Sequence, residues 1–170
     1  AASDAASAAA SPTQAWLPVA RSRGRLRAKD IGLVINTADP YSVEVGEYYI
    51  QRRGLRDKQV LRVDLPLRDR LSVEEFEGLR RQIEVHFEGS AQALALAWVR
   101  PFAVGCNSIT GALGLGFDAE LCRNTCAASR PSVYANSASA RPLSEHGMRL
   151  SMLLAAPDAS AARRLIDRGV

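Results

Sequence analysis

Hydrophobic and polar positions follow two different rhythms along this chain, and the rhythm switches repeatedly. "IGLVIN" at 31–36 is a continuous, β-branched apolar run, the pattern of a parallel strand buried on both faces. "TADPYS" interrupts it. From 43 to 54, "VEVGEYYIQRRG" brings Val45, Tyr48, Tyr49 and Arg52 round at helical spacing, with Asp or Ser available to cap the start and Gly54 placed to end it. "QVLRVDL" at 59–65 alternates as a second strand. "SVEEFEGLRRQIEVHFEG" at 72–89 opens with Ser72 and Glu75 as a capping box and sets Phe76, Leu79, Ile83 and Phe87 on one face. "ALALAWV" at 93–99 is a third buried strand, stopped at Arg100-Pro101 because proline cannot continue a central ladder. "RLSMLLAA" at 149–156 reads as a fourth strand, and "DASAARRLIDRG" at 158–169 as a helix with Asp158 at its cap.

This order, with a long irregular stretch at 104–147, predicts an α/β fold: a mostly parallel sheet with helices on both faces, three layers in all, joined by right-handed crossovers. The runs 31–36 and 93–99 should be its central strands, because both are continuously apolar while their neighbours alternate. At 170 residues and 47% apolar the chain has material for one full core, and that single domain is expected over 29–170. Residues 1–28 are set apart as a disordered tail and linker. "AASDAASAAASPTQA" has too little apolar surface to offset the entropy of ordering it. In "RSRGRLRAKD", Arg21, Arg23, Arg25, Arg27 and Lys29 share one face of an extended chain, which suits a solvated linker or an edge that discourages aggregation.

Charge changes the picture little. With 22 basic and 18 acidic residues the net charge is +4, too small to call for a polyanionic partner, so nucleic acid is set aside. The basic residues are Arg apart from Lys29 and Lys58, a bias that fits genomic base composition. No run approaches the roughly 18 apolar residues of a membrane span. An Ala/Ser stretch such as the first fifteen residues often follows the cleavage site of an export signal, which points to the periplasm or the exterior.

In a parallel sheet, sites form where loops leave the carboxyl ends of strands. That singles out Asn36, Thr37, Asp39, Tyr41 and Ser42, with Asn36, Asp39 and Ser42 as candidate ligand-binding groups and Asp39 as a base or ligand contact. Asp39-Pro40 also suits a helix start, aspartate at the cap and proline in the first turn. Neither G-x-G-x-x-G nor G-x-x-x-x-G-K-[ST] occurs, so the standard nucleotide cradles are absent and no cofactor is expected.

All three cysteines fall in "VGCNSITGALGLGFDAELCRNTC" at 104–126. Cys106, Cys122 and Cys126 are spaced C-x15-C-x3-C, and the two histidines, His86 and His146, do not complete a paired zinc-ligand pattern, so no metal is expected. Cys106 could serve as a nucleophile with His146 from "LSEHGM" as its base, whereas His86 belongs to the 72–89 helix. In an oxidising compartment a disulfide between Cys122 and Cys126 is the preferred reading, with the helix ending near Asn124 and Cys106 left as a buried thiol or the alternative partner. Gly111, Gly114 and Gly116 should let the backbone turn closely against the sheet while Leu113, Leu115 and Phe117 pack inward.

Four stretches, "LVINTADPYSVEVGEYYIQRRGL", "QVLRVDLP", "AWVRPFAVGCNSITGALGLGFDAELC" and "RLSMLLAAPDASAARRLIDRGV", together resemble a conserved hypothetical family of mostly exported bacterial proteins of unknown function. The resemblance spans most of 31–170 and implies export but no activity. It also implies a longer protein, of which this chain would be the amino-terminal portion. The expectation is therefore an exported α/β domain acting as a ligand- or partner-binding module, with a caspase-like cysteine hydrolase using Cys106 and His146 as the alternative.

Overall fold

The computed structural model describes residues 23–124, 126–128 and 131–169. In chain order its elements are β1 (Ile31–Asn36), α1 (Pro40–Arg53), β2 (Val60–Val63), β3 (Arg70–Leu71), α2 (Val73–Phe87), β4 (Ala93–Leu96), β5 (Ala103–Val104), β6 (Asn107–Ser108), α3 (Ile109–Leu115), α4 (Glu120–Arg123), α5 (Pro142–His146), β7 (Leu150–Leu153) and α6 (Ala159–Arg168). The main sheet has the order β2-β1-β4-β7, and every pairing in it is parallel. The two continuous apolar runs are its central strands, as their lack of alternation requires.

Alternate residues of β1 serve opposite faces. Leu33 and Ile35 pack with Leu55, Ala95 and Ala97 on the side of α1. Val34 packs on the other side with Phe76, Leu79, Ile83 and Phe87 of α2. Helix α1 lies close to β1 because residue 46 is glycine: a β-carbon there would sit 2.6 Å from the Ile35 side chain. Helix α2 starts on the expected capping box, with Ser72 Oγ accepting from Glu75 N and the Glu75 carboxylate accepting from Ser72 N. Helix α6 returns to α1, where Val45 packs with Ala162 and Ile166, and the Arg53 guanidinium donates to the carbonyls of Ile166 and Gly169 at its end. That contact places a cation at the negative end of the helix dipole.

The stretch read as irregular holds more order than its sequence suggests. β3, β5 and β6 form a second, small sheet, with β3 parallel to β5 and β5 antiparallel to β6. Strands of two residues carry no periodic signal. Helix α3 forms through "ITGALGL" even though each interior glycine costs about 1 kcal/mol relative to alanine. Packing compensates, since Ile109 and Ala112 are buried in the core and Ser108 Oγ caps the helix at Gly111 N. Leu113 and Phe117 pack against that core as expected, but Leu115 stays 38% exposed.

β7 is an edge strand whose Met152 is 69% exposed. Arg23, Arg25, Arg27 and Lys29 are exposed, in keeping with a solvated linker. Of the disordered tail and linker expected over residues 1–28, residues 1–22 lie outside the described residues.

Candidate functional site

The carboxyl end of β1 brings together the residues singled out there, and their bonds show what they do. Asn36 is fully buried. Its Oδ1 accepts from Leu65 N at 2.9 Å and Ala38 N at 3.2 Å, and its Nδ2 donates to Leu65 O at 3.1 Å. Its backbone N–H donates to Ser42 Oγ at 2.8 Å. Thr37 Oγ1 donates to Val63 O at 3.0 Å. The Tyr41 hydroxyl donates to Leu154 O at 2.7 Å and accepts from Ala156 N at 3.0 Å. Burial raises the Tyr41 pKa, with Asp39 and Asp158 adding to the rise against the bond from Ala156. These groups stitch the loops after β1, β2 and β7 to one another, so their polar capacity goes to the chain itself.

Asp39 accepts from Tyr41 N at 3.0 Å with Pro40 as the first helical residue. It is the cap of α1. Asp39→Ala is therefore expected to cost about 1 kcal/mol of stability, read by chemical denaturation. A cost above about 3 kcal/mol would assign it a role beyond the cap.

The cysteine loop departs from expectation. Cys106 is bonded to Cys122, 16 residues away, with a Cα–Cα distance of 5.2 Å, and Cys126 is free and exposed. The pairing expected between Cys122 and Cys126 is thus replaced by the longer one. Helix α4 does end at Asn124, whose Oδ1 accepts from Cys126 N at 3.0 Å. What brings the distant pair together is Asn107. Its Nδ2 donates to Asp118 O at 2.9 Å and its Oδ1 accepts from Asp118 N at 3.1 Å, so one amide ties the chain at 118 to β6. Four residues on, Cys122 reaches Cys106 in the turn of the β5–β6 hairpin.

That turn is the two residues Gly105-Cys106, between the paired Val104 and Asn107. Gly105 has φ +54°, and a β-carbon there would lie 3.4 Å from the Phe117 ring and 3.5 Å from Cys122 Sγ. A glycine opening a two-residue turn is a recognisable hairpin signal, and it was the available clue. Asn107 carried none.

His146 does not meet Cys106. Its Nε2 is 2.9 Å from Ser137 Oγ, and its ring lies edge-on to Tyr134 with centroids 5.9 Å apart. With its sulfur bonded, Cys106 has no thiol to ionise, so the Cys106–His146 dyad is corrected on both counts. The Ser137–His146 contact is not a triad, because no carboxylate bonds the histidine among the described residues. His86 is exposed on α2, its ring edge-on to Phe87. Among the described residues no group of three or more His, Cys, Asp or Glu could hold a metal ion.

The open space lies elsewhere. A cavity of about 330 Å³ sits between α2 and α3, bounded by Arg80, Ile83, Leu94, Leu113, Leu143 and Arg149 among others. A smaller one of about 170 Å³ adjoins Cys106 and Leu121. On the opposite face a groove of about 430 Å³ runs along β7 past Tyr49, Leu150 and Met152. Comparison with protein-family models, with curated proteins and with solved structures finds no match to this chain.

Proposed function

We propose that this chain is a non-catalytic α/β binding module of an exported protein, and that it belongs with the exported bacterial family its sequence resembles. The observation that carries this reading is the Cys106–Cys122 bond. Structural disulfides persist in oxidising compartments and are rare in the cytosol, and this one occupies the only cysteine that the hydrolase alternative would use. The crevice at the end of β1 argues the same way, since Asn36, Asp39 and Ser42 are engaged in holding loops. No helix among the described residues is long and apolar enough to cross a membrane. The disulfide would hold the loop between β5 and α4 in shape, leaving the cavities around it for recognition.

Alkylation of the protein from its native compartment tests this. With iodoacetamide and no reductant, the label should appear on Cys126 alone, and Cys106 and Cys122 should be recovered as one linked pair of peptides. Rapid alkylation of Cys106 in the native protein would overturn the reading and restore the hydrolase.

A further inference from the structure

The cavity between α2 and α3 contains a cation that, among the described residues, no carboxylate pairs with. Its floor is Leu94 of β4, one wall is Arg80, Ile83 and Glu84 of α2, and the other runs from Ala112 to Gly116 at the end of α3. Arg149, just ahead of β7, closes it together with Leu143 and Gly147. Arg80 is already paired, to Glu77 at 2.9 Å and to Glu84 at 2.7 Å. Arg149 is not. Its Nε donates to Ala91 O at 3.1 Å, which fixes the side chain, and no ion pair or further hydrogen bond engages it among the described residues. Burial lowers its pKa, and the nearby charge of Glu84 only partly opposes this. Arginine nevertheless stays protonated in proteins, so the site carries a half-desolvated guanidinium that an anion would relieve.

We infer that this cavity binds a small monocarboxylate with an apolar body, its carboxylate on the Arg149 guanidinium and its hydrocarbon part against Ile83, Leu94 and Leu113. This deepens, and rests on, the reading of the domain as a binding module. Charge and shape select the ligand class. Arg80 is held by Glu77 and Glu84, so the group left to meet a ligand is the one Arg149 guanidinium, which one carboxylate matches. A guanidinium fork takes the two oxygens of a carboxylate together. A phosphate dianion would need several donors and would meet Glu84, and the nearby Gly116 N–H is already spent on Ala112 O. The volume of about 330 Å³ lies at the lower end of the roughly 300–1,000 Å³ of small-molecule sites, suiting a short aryl or branched alkyl acid rather than a long-chain lipid.

Calorimetric titration of the full chain with hydrocinnamate, its neutral amide and inorganic phosphate tests this. Hydrocinnamate should bind saturably. The amide should bind at least tenfold more weakly, and phosphate more weakly still. Arg149→Met should weaken hydrocinnamate about ten- to hundredfold, the loss of a charged hydrogen-bond pair, with Arg149→Lys between the two because it keeps charge but not the fork. No saturable binding up to about 10 mM, where even a millimolar ligand would register, overturns the proposal, as does equal binding of the amide, tighter binding of phosphate, or an Arg149→Met protein of parental affinity. Should Arg149→Met fail to fold, methyl resonances of the parent protein decide: hydrocinnamate should shift Ile83, Leu94 and Leu113, and shifts confined to other residues overturn the site. Failure on any of these grounds while Cys106 remains unreactive to iodoacetamide removes the carboxylate site and leaves the binding-module reading standing.

Discussion

Replacing Cys106 or Cys122 by serine is expected to lower the unfolding free energy by about 3 kcal/mol, whereas Cys126→Ser should leave it within about 0.5 kcal/mol of the parent. The bond spans 16 residues, and the chain-entropy relation gives about 3 kcal/mol for a loop of roughly that length. Within the closed loop lie β6, α3 and Phe117, so losing the cross-link frees a segment that also contributes Ile109 and Ala112 to the core. Cys126 is exposed and unbonded, and substitution at such a position has little to disturb. For a domain of this size the loss corresponds to a fall of about 6–12 °C in Tm. Thermal melts of the three variants, with the parent melted in dithiothreitol for comparison, measure it. A Cys126→Ser protein as unstable as Cys122→Ser, with Cys106→Ser melting like the parent, would mean that the pairing is the shorter one after all.

Asn36→Ala is expected to cost about 2–6 kcal/mol. The amide of Asn36 serves both backbone groups of Leu65, accepting from its N–H and donating to its carbonyl, and also accepts from Ala38 N. Leu65 is itself buried. Truncation strands two backbone groups in the interior, at about 1–3 kcal/mol each, and water has no ready access to replace the lost partner. Ser42→Ala, which strands only the Asn36 N–H, should cost about 1–2 kcal/mol. Urea denaturation of both variants gives the comparison. An Asn36→Ala protein as stable as its parent would return Asn36 to the ligand-binding groups. The expected loss instead identifies the end of β1 as a brace, which is why the open cavity beside Arg149 draws attention away from the strand end where such sites usually form.

Legibility in the sequence differs sharply between elements. Helix α2 was visible down to its capping box, because Ser72, Glu75, Phe76, Leu79, Ile83 and Phe87 act on one another at separations of three or four residues. The same holds for the caps Asp39 and Asp158 and for the central strands, whose uninterrupted apolar runs demand cover on both faces. The candidate chemistry is less legible. Asn36, Asp39 and Ser42 are the right residue types at the right strand end, but only their partners show that they are engaged in structure: Leu65 and Ala38 for the Asn36 amide, Tyr41 N for Asp39, and the Asn36 N–H for Ser42. Helix α3 was hidden by its glycines.

The sequence by itself determined the α/β class, the central strands and where the main helices begin, since periodicity and capping are set by neighbours within a turn or two of chain. Tertiary structure alone decided which cysteines pair and where the open cavity lies. Cys106 meets Cys122 because the Asn107 amide holds Asp118 against β6, and Arg149 faces residues near 80, 94, 113 and 143 because α2, β4, α3 and α5 converge on one face of the sheet. Both outcomes depend on contacts between segments far apart in the chain, whose strength comes from burial and hydrogen-bond satisfaction in the folded state and leaves no spacing to read along the sequence.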